Sequence, residues 1–116
     1  MNGLEIIDYT GKGYQSSFFF EKWRIGILNC DDVYKKGNTP FLERHNETDE
    51  VFILVEGEAT MLLGDNAEEI ELEKNKLYVV KKGVWHNVYM SDDAKFIIVE
   101  NADTSDENSE YLPYNK

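Results

Sequence analysis

Short apolar runs recur along this chain at spacings of roughly 8–12 residues, with turn signals between them, and that rhythm admits few folds besides a β-sandwich or a β-barrel. Ser17-Phe18-Phe19-Phe20 leads into the run from Trp23 to Leu28, where Trp23, Ile25 and Ile27 share one face at period two. Residues 29–40, with Asp31-Asp32 and Lys36-Gly37-Asn38-Thr39-Pro40, have the composition of a loop. Val51 to Val55 is apolar on both faces, as a strand buried between two layers would be. Gly57 breaks that run, and Ala59 to Leu63 resumes it. Beyond the turn at Gly64-Asp65-Asn66, the run from Glu69 to Glu73 alternates, with Ile70 and Leu72 inward. Strands are then expected at 77–80, 84–90 and 95–100. No stretch carries an apolar stripe at helical spacing, so the chain reads as all-β.

At 116 residues the chain is long enough for one hydrophobic core and no more. The barrel is expected over residues 1–100, and residues 101–116 read as an acidic polar tail too poor in apolar groups to build a core of its own. Tyr111, Leu112 and Tyr114 give that tail a means of docking, on the barrel mouth or on a second subunit. A net charge of −11, with no basic cluster longer than the isolated doublets Lys35-Lys36 and Lys81-Lys82, argues against nucleic acid and anionic membrane surfaces as partners. The longest apolar runs are far below the roughly twenty residues needed to cross a bilayer. The N-terminus has neither a basic segment nor a long apolar one, so a soluble, cytoplasmic protein is expected. Cys30 is the single cysteine, which excludes an intrachain disulfide and a cysteine metal cluster. There is no Ser-His-Asp pattern and no phosphate-binding glycine loop.

The chemistry concentrates on the only two histidines. His45 follows Glu43 by two residues, so both share one face of an extended strand. Glu50 opens the next apolar run, and His86 comes from a distant segment after Gly83. Three segments can therefore bring two imidazoles and two carboxylates to one divalent ion, a donor set that suits Mn, Fe, Zn or Ni without choosing among them. Glu47 is a rival to Glu43 as fourth ligand, since it too stands two residues from His45; whichever is not bound can act as a general base. Strand parity places Phe52 with Glu50, and Met90 with His86, as candidate contacts for a bound substrate.

These segments resemble the two motifs of the cupin superfamily, here at about 43–58 and 77–90. The family's first motif runs histidine, any residue, histidine, three or four residues, glutamate, six residues, glycine. His45, Glu50 and Gly57 match its later positions, and Glu43 stands at the first histidine. The second motif contains proline, any residue, glycine, two residues, histidine. Gly83 and His86 match it, Lys81 replaces the proline, and Asn75 and Met90 replace the outer glycine and asparagine. The resemblance implies a double-stranded β-helix, the jelly-roll barrel of cupins, and a homodimer, for which the aromatic residues Phe18, Phe19, Phe20 and Trp23 near exposed strand edges also argue. It further implies isomerase, epimerase, decarboxylase or dioxygenase chemistry on a small polar metabolite. A binding module for a sugar-like ligand and a structural barrel with a vestigial site are the other readings that the sequence leaves open.

Overall fold

A computed structural model describes residues 3–114; the outer ends of the two expected units, residues 1–2 and 115–116, lie outside the described residues. The chain begins with a hairpin of β1 (Gly13–Phe20) and β2 (Trp23–Asn29), as the paired aromatic and aliphatic runs require. It continues through β3 (Phe41–His45), β4 (Glu50–Glu56), β5 (Ala59–Leu63), β6 (Glu68–Glu71), β7 (Tyr78–Val80), β8 (His86–Met90), β9 (Lys95–Asn101) and β10 (Ser109–Pro113). Two antiparallel five-stranded sheets result, ordered β1-β2-β9-β4-β7 and β10-β3-β8-β5-β6. From β2 onward nearly every connection passes from one sheet to the other, which winds the chain into a double-stranded β-helix. Among the described residues no helix is long and apolar enough to cross a membrane.

The inner faces supply the core. Leu28, Phe52, Leu54, Val88, Phe96 and Ile98 are buried between the sheets, each contributing about 1.5–3 kcal/mol of transfer free energy. Along β4 burial alternates: Glu50, Phe52 and Leu54 point in, while Val51, Ile53 and Val55 stay half-buried on the outer face. The run expected to lie between two layers thus has a layer on one side only.

Two local readings change. β8 starts at His86 and not at Val84, because Gly83 takes φ 79° and the Val84 N–H donates to the Lys81 carbonyl, which closes a turn over 81–84. The acidic segment after Glu100 returns to the barrel. A short 3-10 turn at Asp106–Asn108, capped by Ser105, leads into β10, whose register with β3 runs from Ser109 opposite His45 to Pro113 opposite Phe41. No apolar alternation marks β10. Its main-chain ladder holds it, with Arg44 bonding Glu110 and Tyr111 meeting the Phe41 ring edge-on.

Candidate metal centre

Neighbouring strands bring the candidate ligands together. Glu43 on β3 is the register partner of His86 on β8, so their side chains stand opposite each other across the sheet. His45 lies two residues further along the same face of β3, and Glu50 reaches over from β4 in the other sheet. The turn regions between them are tied together: the Gly83 N–H donates to the His45 carbonyl at 2.8 Å, and the Asp49 carboxylate accepts from the Lys82 N–H at 2.8 Å.

The four residues offer ligand atoms that all lie within 4.8 Å of one another. His86 Nε2 is 2.7 Å from Glu50 Oε1, and His45 Nε2 is 3.2 Å from the same oxygen and 3.6 Å from Glu43 Oε1. Each imidazole is fixed from behind. His86 Nδ1–H donates to the Val84 carbonyl at 2.9 Å, and His45 Nδ1 meets Ser109 Oγ at 2.8 Å. These outer bonds leave both Nε2 atoms turned to the shared point, an arrangement that metal-binding imidazoles typically have.

The electrostatics follow from burial and pairing. Burial alone would raise the Glu50 carboxyl, but hydrogen bonds from His45 and His86 hold it down at about 2. Burial would lower His45, yet its bonds to Glu43 and Glu50 push it up to about 10. His86 is raised in the same way, with the Glu50 contact outweighing burial. A divalent ion would replace the protons that these imidazoles carry, and two nitrogens with two carboxylate oxygens fit Mn, Fe, Zn or Ni.

The cluster lies on a cavity of about 290 Å³. Phe52 lines it, with its ring edge-to-face on His86 at 5.7 Å. Met90 is not among the lining residues. It sits four residues along β8 from His86, about 13 Å away, and is buried in the core opposite Ala59. Glu47 is exposed in the turn after β3, outside both cluster and cavity, because the chain leaves extended conformation at Asn46 and the two-residue relation to His45 lapses.

The sequence reading passed over several wall residues, Tyr14, Arg24, Tyr34, Glu100 and Ser109, while Tyr111 lines the mouth as one of the two places expected for the docked tail. Two of them carried a readable signal. Glu100 is in phase with the inward Phe96 and Ile98, and Arg24 with the inward Leu28. Ser109 had none, since β10 could not be read. Cys30 packs against the core and burial raises its thiol, which keeps it a poor nucleophile.

A small double-stranded β-helix with an imidazole–carboxylate cluster in its mouth defines a class, and comparison with known proteins agrees with it. The cupin domain family matches residues 32–100, and the chain belongs to that family. Among solved structures, the nucleoside dehydratase Pac13 is similar in fold, with a TM-score of 0.69 at 9% identity over 95% of this chain and 88% of that one. A variant of Pac13 from Streptomyces, solved with uridine, gives a TM-score of 0.70 at 10% identity over 95% and 87%. A cupin-2 domain protein from Shewanella frigidimarina gives 0.62 at 23% identity over 80% and 84%. No curated protein sequence matches the chain.

Proposed function

We propose that this cupin holds a divalent metal ion between Glu43, His45, Glu50 and His86, and acts there on a small polar metabolite. The observation that carries this reading is the convergence of four ligand atoms within 4.8 Å, with both imidazoles anchored through Nδ1. Bound there, Mn, Fe, Zn or Ni would supply Lewis acidity toward a substrate oxygen. The chain's own groups supply the rest. Phe52 gives the ligand an apolar wall, and Ser109 of β10 with Asp106 of the 3-10 turn before it line the same cavity. Glu43 keeps 29% of its side chain exposed, the most of the four, and where His45, Glu50 and His86 alone hold the ion it is the carboxylate left to take a proton from a bound substrate. The resemblance to Pac13 adds a dehydratase to the isomerase, epimerase, decarboxylase and dioxygenase reactions already in view. The test is turnover on a panel of sugars, nucleosides, keto acids and diols, with and without a chelator. Metal-dependent turnover that Glu43→Gln reduces by about 10²–10⁴-fold supports the reading. Ligand binding without turnover on any of them favours a second reading, a non-catalytic binding barrel. That reading has its own support in the 2.7 Å His86–Glu50 contact, which satisfies the cluster with protons alone.

We also propose a homodimer, formed through the outer face of the sheet that contains β4. Ile25 pairs Val99 and Ile27 pairs Ile97, while Val51 and Ile53 flank the same two residues from the other side. These rows are wholly aliphatic in a chain of net charge −11, so this is the face on which two copies meet with least repulsion. A second copy would supply the missing layer over β4.

A further inference from the structure

On the sheet opposite the histidines, Arg24 and Glu100 are register partners on β2 and β9, both turned inward beside the cluster. Arg24 donates one terminal N–H to the Thr104 carbonyl at 3.1 Å and another to Glu100 Oε2 at 3.2 Å, and its Nε has no partner. The Glu100 side chain is only 4% exposed. Its Oε1 is likewise without a hydrogen bond and stands 3.9 Å from His45 Nε2, on the side of the cluster. A buried pair with an orphaned donor and an orphaned acceptor is costly, and apolar residues would stabilise the barrel more. The Thr104 bond explains part of Arg24; Glu100 Oε1 has the His45 imidazole as a charged neighbour at 3.9 Å but no hydrogen bond.

The surrounding charge limits what can answer to it. Glu43, Glu50, Glu100 and Asp106 face one guanidinium and two imidazoles in this wall. With its four carboxylates ionised, the wall keeps a net negative charge whether the two imidazoles carry protons or share a divalent ion. Both imidazoles already face the Glu50 carboxylate, and the one other cationic side chain of the wall, Arg24, has both terminal nitrogens engaged. A phosphate or carboxylate entering here would meet Glu100 with no free cation to balance it.

We propose that Arg24 and Glu100 form a recognition subsite for a neutral, hydroxyl-bearing ligand: a small shift of the two side chains, whose Glu100 Oε1 and Arg24 Nε are closed to solvent as they stand, lets Oε1 accept from a ligand O–H and Nε donate to a neighbouring ligand oxygen. This deepens the proposed function by naming the substrate class, and it rests on that reading only for where the reacting end of the ligand lies. The experiment is binding of paired probes to the full chain by calorimetry: ribose, uridine and myo-inositol, each against its own phosphate monoester. At least one neutral probe is expected to bind about tenfold or more tightly than its monoester, and Glu100→Gln to weaken it about tenfold, the range of a hydrogen bond to a charged group. Equal or tighter binding of the monoesters, no binding of any neutral probe, or affinities untouched by Glu100→Gln would each overturn the proposal. Should Glu100→Gln fail to fold, the preference of the parent for neutral probes decides. Metal content, determined on the same samples, keeps the two readings apart, because the neutral preference is expected whether or not the parent holds an ion.

Discussion

Glu50 is the residue on which the site turns, because both imidazoles aim Nε2 at one of its oxygens. Its carboxyl is held down at about 2 against an ordinary 4.5, so its contribution to stability is full above pH 4.5 and is lost as pH falls toward 2. His45 is raised to about 10 from 6.5, so its contribution is full below pH 6.5 and is lost as pH rises toward 10. Chelator-treated protein is therefore expected to melt highest between pH 4.5 and 6.5, as read from thermal unfolding across pH. A melting temperature that keeps climbing above pH 7 without metal would contradict the assigned pairing. Ser109 belongs to the same scale, since it fixes His45 from behind. Ser109→Ala is expected to weaken metal binding about 10–100-fold while changing stability little, measured by competition with a chelator dye. Unchanged affinity would mean that the contact does not orient the ring. At this scale the sequence was legible wherever spacing carried the information. Glu43, His45, Glu50 and His86 are brought together as their phases along the strands suggested. Glu47 was misplaced by assuming that the strand runs on past His45, and Ser109 stood on an element without a pattern.

The elements were legible where burial imposes a period. β4 and β9 alternate between the core and the outer face throughout, so inward and outward residues follow from the sequence once one of them is fixed. β10 was not legible because it is an edge strand held by main-chain bonds, with little buried on either face. The turns differ in what they demand. Gly57 takes φ 75°, and an added Cβ would come within 2.6 Å of Ala94 Cα, so both conformation and space require glycine there. Gly83 takes φ 79° with open space around it. Gly57→Ala is accordingly expected to cost about 2–4 kcal/mol, from left-handed strain and overpacking together, and Gly83→Ala about 1–2 kcal/mol from strain alone. Urea unfolding of the two variants measures the difference, and equal costs would mean that the turn after β4 relaxes without penalty.

For the molecule as a whole, the sequence pattern went further than the single chain accounts for. A strand apolar on both faces anticipates cover on both, and β4 has it on one. The proposed dimer supplies the other. Light scattering behind a sizing column should give twice the 13.5 kDa chain mass, and Ile53→Lys should give the single-chain mass without loss of fold. A monomeric parent at micromolar concentration would remove the dimer. The cupin barrel sets where a site can be, and the residues of its mouth decide what the site does. The central claim, an ion held by Glu43, His45, Glu50 and His86, is tested most directly by elemental mass spectrometry of protein purified without chelator or affinity-tag metal, beside His45→Ala and His86→Ala. The account expects close to one equivalent of a divalent transition metal in the parent and its loss in both variants. A parent that holds no metal even after reconstitution, or variants that retain it, would contradict the account.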